Sequence, residues 1–310
     1  MQYQKLGNTS LNVSKLSYGA SPLGGVYGDV DQSQATRTVH AALDLGINFI
    51  DCSPYYGMTK AETMLGKALK GIPRDQYFLS TKAGRYGPED FDMSEQRIRK
   101  SLDESLERLG VEEVDVFFLH DIEFVDLDIV LHESLPCMEK LKEEGRIRYY
   151  GITGYPLKPF REVIRQFQVD CILSYCRYGL HDTSLASLLD YLDENEVGVV
   201  NASPACMGLL TSRGAPDWHP AGSDLRKRAQ KAVDFCQAQG VDITQIALQF
   251  SAQHSGIPTT LVGTANPAFI AQNVEWINEP LSTELVDEVR SILAGPDSVW
   301  SSGLPENNDL

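Results

Sequence analysis

Positive charge is scarce in this sequence of 310 residues: 27 lysines and arginines face 43 aspartates and glutamates, a formal net charge of −16. Nucleic acid and anionic membrane surfaces repel such a chain, so neither is expected as a partner. Long apolar runs are missing too. No stretch reaches the roughly 18 apolar residues of a membrane helix. The opening MQYQKLGNTS lacks the apolar core and small-residue cleavage site of a secretory signal. The six cysteines (Cys52, Cys137, Cys171, Cys176, Cys206, Cys236) are scattered, with no CxxC pair. That pattern suits reduced, buried thiols and a cytoplasmic location better than a disulfide framework. Clustered metal ligands are also absent. His40, His132, His181, His219 and His254 stand apart, and His132-Glu133 has no second histidine four residues beyond the first. No metal is therefore expected.

What is present is ordinary for a globular protein: 42% hydrophobic and 23% charged residues. That much apolar side chain offsets the ordering entropy, which excludes disorder for the bulk of the chain. Short apolar runs read as strands at Lys15–Ala20, Ile47–Asp51, Tyr77–Lys82, Val114–Leu119, Ile147–Ile152, Asp170–Tyr175, Val197–Ala202 and Thr259–Val262. Amphipathic helical patterns lie between them, most clearly over Ser94–Leu109, where Ile98, Leu102, Leu106 and Leu109 recur every three or four residues. Parallel strands need such crossovers. Eight strand–helix units predict a closed (β/α)₈ barrel. An open dinucleotide-binding sheet would carry GxGxxG after its first strand. The segment Gly19-Ala-Ser-Pro-Leu-Gly-Gly25 does not fit that spacing. Tyr3–Leu6 and Leu11–Val13, around Gly7-Asn8-Thr9, predict an N-terminal hairpin placed to plug the barrel bottom. With no linker, repeat or low-complexity segment, residues 1–310 read as one barrel domain with a C-terminal tail over the rim.

Barrels of this kind carry their chemistry at the C-terminal ends of the strands. There the second strand ends in Asp51, the third in Lys82 and the fourth in His120, and Ser53-Pro-Tyr55-Tyr56-Gly57 follows Asp51. A free tyrosine, with a pKa of about 10, is a poor base at neutral pH. A lysine ammonium steadied by a carboxylate favours the phenolate, and an imidazole can orient a substrate oxygen. Together the four suit proton transfer at an alcohol or carbonyl oxygen.

These residues stand in stretches that resemble the aldo-keto reductases. The matching segments are Gly46-Ile-Asn-Phe-Ile-Asp-Cys-Ser-Pro-Tyr-Tyr-Gly57, Leu79-Ser-Thr-Lys82, Arg99-Lys-Ser-Leu-Asp-Glu-Ser-Leu-Glu-Arg-Leu109, Val114-Asp-Val-Phe-Phe-Leu-His120, Gly151-Ile-Thr-Gly154, Ser203-Pro204 with Gly208-Leu-Leu210, and Gln272-Asn-Val274. The resemblance implies a (β/α)₈ barrel and a catalytic tetrad of Asp51, Tyr56, Lys82 and His120. It also implies a nicotinamide cofactor extended across the rim. Gly19, Ala20 and Asp51 would lie near the nicotinamide ribose. The family's carboxamide-holding Ser-Asn pair is Thr153-Gly154 here, so Ser174 or Tyr175 would share that contact. Ser203, Met207, Gly208 and Leu209 would follow the pyrophosphate. Gln272 and Asn273 would lie at the adenine, and Gly263, Thr264 and Asn266 would also contact the cofactor.

A 2′-phosphate needs a basic partner. Gly263–Val274 contains no lysine or arginine, which predicts NAD rather than NADP. Further local patterns resemble a branch of aldose 1-dehydrogenases: Gly19-Ala-Ser-Pro-Leu-Gly24, His120-Asp-Ile-Glu-Phe124, Ile172-Leu-Ser-Tyr-Cys176, Met207-Gly-Leu-Leu-Thr211 and Trp218-His-Pro-Ala221. That branch implies oxidation of an aldose at its anomeric carbon to the lactone, with L-galactose, L-fucose or D-arabinose as candidate sugars. A carbonyl reductase working in the opposite direction is the alternative. Candidate sugar contacts are Asp121, Glu123, Tyr86 and Trp300, and the protein is expected to be a monomer or homodimer.

Overall fold

In the computed structural model, which describes residues 1–309, the chain opens with a hairpin. Strand β1 (Tyr3–Lys5) runs antiparallel to β2 (Asn12–Ser14). Eight parallel strands follow and close on themselves: β3 (Leu16–Gly19), β4 (Phe49–Asp51), β5 (Phe78–Ala83), β6 (Val114–Leu119), β7 (Ile147–Gly154), β8 (Cys171–Tyr175), β9 (Gly198–Ala202) and β10 (Thr259–Val262), with β10 pairing β3. Helices α1 (Gln32–Asp44), α2 (Lys60–Leu69) and α3 (Glu95–Leu109) form the first crossovers. The next begins as α4 (Leu127–Ile129), widens over Val130–Ser134 and continues as α5 (Leu135–Glu143). Pro136 has no N–H to donate, and the wide turn absorbs the missing bond. Helices α6 (Lys158–Ile164) and α7 (Ala186–Glu194) complete two more units. Two helices, α8 (Ser223–Ala238) and α9 (Ile243–Ala252), precede β10, and α10 (Pro267–Trp276) and α11 (Thr283–Leu293) follow it.

The eight predicted runs are the eight barrel strands. Four of the strands are shorter than the apolar runs; Ile47 and Val197, for example, are buried just outside the hydrogen-bonded pairing. Strand β7 instead extends two residues further, to Gly154. The clearest helical pattern is helix α3. The Ser94 hydroxyl caps it by accepting the Arg97 N–H, and Gly110 ends it in a left-handed turn.

Side chains alternate across each strand. Tyr18, Ile50, Leu79, Phe117, Ile152, Ile172 and Val199 face the helices. Phe49, Val116, Phe118, Cys171, Leu173, Val200 and Leu261 fill the lower barrel, where Leu6, Leu11 and Val13 of the hairpin join them. The hairpin therefore plugs the bottom of the barrel. Gly7 makes the close approach: at φ +54° it lies so near Gly198 that a Cβ would meet that residue's backbone nitrogen. The lower interior is packed, and the polar strand ends Asp51, Lys82 and His120 sit at the other end of the barrel. Among the described residues no helix is long and apolar enough to cross a membrane.

Candidate active site

Register brings the polar strand ends together. Gly19 pairs with Asp51, Asp51 with Ser80, and Lys82 with Phe118, two residues before His120. Phe49 and Asp51 share the inner face of β4, as do Phe78, Ser80 and Lys82 on β5 and Val116 and Phe118 on β6. His120 continues the inner row and anchors its N–H on the Ala83 carbonyl.

Lys82 is fully buried. Its Nζ donates to Asp51 Oδ2 at 2.6 Å and to the Cys52 carbonyl at 2.8 Å. Ser80 donates to the other oxygen of Asp51 at 2.8 Å. The Tyr56 ring lies 4.9 Å from the lysine nitrogen and edge-on to His120 at 5.7 Å between centroids. The structure thus gathers Asp51, Tyr56, Lys82 and His120 into one group, with Asp51, Lys82 and His120 buried and Tyr56 half-buried.

Electrostatics correct one expectation. The phenol of Tyr56 is not eased toward phenolate here. Burial first, then the carboxylates of Asp51 and Asp121, hold its pKa well above the ordinary value, with Arg85 pulling the other way. Lys82 is already committed to Asp51, so little of its charge reaches the phenol. His120 is neutral: burial, with Lys82 and Arg85 assisting against Asp121, pushes its pKa down to about 3. Ser53 Oγ lies 3.0 Å from His120 Nδ1 and accepts the Tyr55 N–H at 3.2 Å. A Ser53 proton on Nδ1 leaves the ring proton on Nε2, the nitrogen 3.7 Å from Asp121 Oδ2.

One side of the mouth has almost no side chains. Ala202 on β9 faces inward, Gly263 follows β10, and Gly19 ends β3. A Cβ on Gly263 would sit 3.1 Å from Pro22 and 3.2 Å from the Gly19 carbonyl. Tyr56, Lys82 and His120 come from the strand ends beyond Gly19, and Tyr175 stands beside Ala202 as its cross-strand partner. A slot with bare backbone on one wall and aromatic and polar groups on the other fits a flat nicotinamide ring. Ala20 holds its place by donating to the Asp51 carbonyl. The loop after β9 turns through left-handed backbone at Ser203, Cys206, Met207 and Gly208, before Leu209 buries itself. Such backbone costs energy and gathers at ligand-binding loops. Thr264 Oγ1 accepts the Asn266 N–H, and Asn266 itself caps α10. Gln272 and Asn273 lie along α10, the former exposed.

Other predicted contacts fall differently. Ser174 shares the helix-facing side of β8 with Ile172, so it turns away from the mouth; its hydroxyl is buried without a partner. Tyr175 faces inward and donates to Glu123 Oε1 at 3.5 Å. Gly154 lies against the same carboxyl: a Cβ there would come within 2.8 Å of Glu123 Oε2, so a side chain at this position displaces that group. Thr153 accepts the Asp121 N–H and donates to Asp121 Oδ1. Tyr86 does not line the mouth. Its hydroxyl accepts the Gly84 N–H, and its ring lies under the Arg97 guanidinium of α3.

Trp300 stacks on Tyr155 at 4.5 Å and docks the C-terminal tail. Glu123 ties that tail down, accepting from Ser302 and Tyr155, while its own carbonyl accepts from Leu304 and Asn307. The sequence reading missed Ser53, Ser80 and Arg85. Ser80 was findable, since it precedes Lys82 by two on the same strand face. Arg85 lies beyond its strand end, where alternation says nothing.

Comparison with known proteins supports the same reading. Residues 15–294 match the aldo/keto reductase family. L-galactose dehydrogenase of Arabidopsis thaliana is 46% identical, over 99% of each chain. D-threo-aldose 1-dehydrogenase of a Pseudomonas species is 31% identical over 86% of this chain and 90% of that one. Among solved structures, an aldo-keto reductase from Bacillus halodurans superposes over 100% of both chains, with a TM-score of 0.79 and 26% identity. Sequence and barrel agree: the chain belongs to the aldo/keto reductase family.

Proposed function

We propose that the protein oxidises the anomeric carbon of an aldose, L-galactose first among the candidates, to the aldonolactone with NAD as hydride acceptor. The observation that carries this reading is the 46% identity with L-galactose dehydrogenase across essentially the whole of both chains, joined to a buried group built for proton transfer at a hydroxyl. When bound, the nicotinamide supplies the acceptor for hydride. The chain's own residues manage the proton and the orientation. His120, neutral and protonated on Nε2, donates to the reacting oxygen and fixes its position. In oxidation the phenolate of Tyr56, scarce because burial and the nearby carboxylates raise its pKa, takes the proton of that oxygen, and in reduction the phenol returns it; the Lys82–Asp51 pair stands behind the phenol without reaching the substrate. The same residues serve oxidation and reduction, as microscopic reversibility requires.

The residues offered to the cofactor are Gly19, Ala20, Asp51, Thr153, Tyr175, Ser203, Met207, Gly208, Leu209, Gly263, Thr264, Asn266, Gln272 and Asn273. No basic residue lies in Gly263–Val274, and this supports NAD over NADP. A small sugar is the partner this site suits, in a monomer or homodimer of cytoplasmic location.

The test is an aldose panel run with each cofactor. L-galactose, L-fucose and D-arabinose are expected to be oxidised with NAD at a kcat/KM at least tenfold above that with NADP. Equal efficiency with both cofactors overturns the NAD assignment. Efficient aldehyde reduction without sugar oxidation overturns the aldose reading.

A further inference from the structure

One charge pair at the mouth bears on the ionisation of Tyr56 and His120 but carries no proton of the reaction itself. Arg85 follows β5 and Asp121 follows β6, so they meet across neighbouring strand ends. Aromatic rings hold the guanidinium: its carbon lies 4.1 Å from the Tyr55 ring centre, 5.0 Å from that of Phe124 and 5.2 Å from that of Phe91. Phe91 and Phe124 are themselves stacked at 4.6 Å. Nη1 donates to Asp121 Oδ2, and Nη2 donates to the Tyr55 hydroxyl at 3.2 Å. Nε is buried without a partner. Asp121 is fixed in turn by Thr153, and its backbone is left-handed at φ +54°. Its Oδ2 stands 3.7 Å from His120 Nε2, the nitrogen assigned above to the reacting oxygen.

Three costs coincide here. A buried ion pair is no better for stability than apolar packing. A left-handed non-glycine residue is strained. A buried donor without an acceptor loses a hydrogen bond. All three fall beside the reacting atoms, and none is needed to close the barrel.

We propose that Arg85 and Asp121 together recognise a hydroxyl on the carbon next to the reacting carbon, and so restrict the enzyme to 2-hydroxylated substrates. A carboxylate only accepts hydrogen bonds and a guanidinium only donates them. A hydroxyl does both, so one such group satisfies the pair at once: it donates to Asp121, and its oxygen receives Arg85. A methylene in the same place offers the desolvated pair no hydrogen bond, and sites built to bind a hydroxyl reject analogues that lack it. Arg85 and Asp121 are specificity-determining residues. The inference rests on the oxidoreductase reading above and names the substrate feature that the site demands.

The experiment compares kcat/KM for an aldose and its 2-deoxy counterpart in the wild type, Arg85→Lys and Asp121→Asn. The wild type is expected to prefer the hydroxylated sugar by about 100-fold or more. Each variant should reduce that preference to less than tenfold, mainly through KM for the sugar. Circular dichroism reports folding, and NADH titrated against tryptophan fluorescence should show less than a twofold change in Kd. If either variant fails to fold, the other decides. A wild-type ratio near one overturns the proposal. So does an unchanged ratio in a folded variant. If the wild type oxidises neither sugar, the aldose reading fails. The same ratio is then measured on reduction of glyceraldehyde against 3-hydroxypropanal, where loss of preference in Arg85→Lys still supports the pair and equal preference sinks it.

Discussion

Lys82 Nζ lies 2.6 Å from Asp51 Oδ2, and the pair is so tight that the lysine's charge is almost cancelled where Tyr56 would feel it. The Asp51 carboxyl is raised by its burial, against which Lys82 works, and it in turn raises the phenol. Replacing it by asparagine should release the ammonium's field onto Tyr56. In Asp51→Asn, the pH at which oxidation reaches half its plateau is expected to fall by about one unit or more. The maximal rate should also fall, because Lys82 loses its anchor. A pH–kcat profile checks this, and an unmoved limb would show that Asp51 does not govern the phenol.

Tyr56 is the group whose proton moves, so removing its hydroxyl should harm turnover and little else. Tyr56→Phe is expected to lower kcat by between about 10² and 10⁴. The edge-on contact with His120 at 5.7 Å survives the change, so NADH binding should stay within twofold of wild type. Near-normal turnover in this variant would remove Tyr56 from the mechanism.

The strands that carry this site were legible because a barrel repeats one signal eight times: a short apolar run, then a polar residue at its end. Asp51, Lys82 and His120 follow that rule. The hairpin was legible from Gly7-Asn8-Thr9 between two apolar pairs. Ionisation was not. Whether Lys82 lowers the Tyr56 pKa depends on how completely Asp51 neutralises it, and that is a matter of tenths of an ångström. Ser174 was misplaced for a simpler reason. It adjoins Tyr175, but neighbours on a strand face opposite ways. Gly154 looked like a missing contact in the sequence; in space it is the clearance that lets Glu123 stand where it does.

Glu123 gives a second pH effect, this time on stability. Its carboxyl is fully buried, and burial together with the neighbouring Asp121 carboxylate raises its pKa to about 8. Burial also works against charge on Asp121, yet that carboxyl stays below its usual range because His120, Arg85 and Lys82 lie around it. Glu123 has no such cation and keeps its proton. A carboxyl raised on folding contributes stability that is fully present below its unfolded pKa, near 4.3, and is lost as pH rises toward 8. The protein is therefore expected to lose stability between about pH 5 and pH 8, beginning where Ser302 and Leu304 join the tail to Glu123. Glu123→Gln keeps the hydrogen-bonding shape without the titration. Its melting temperature should vary less over that range than that of the wild type. Parallel melting curves in both proteins would refute the assignment.

Leu11 separates the fold from the chemistry. It is fully buried among Phe49, Val116, Phe118 and Leu173, at the end of the barrel opposite Tyr56 and His120. Leu11→Ala deletes a core side chain whose surroundings are closed strands, which cannot collapse into the space left behind. The expected cost is about 2–5 kcal/mol in urea unfolding. At temperatures where the variant remains folded, kcat and KM should stay within about twofold of wild type, because no strand end moves. Loss of activity in step with loss of stability at those temperatures would mean that the hairpin plug shapes the upper site, and the division of the barrel into a structural floor and a chemical rim would have to be abandoned.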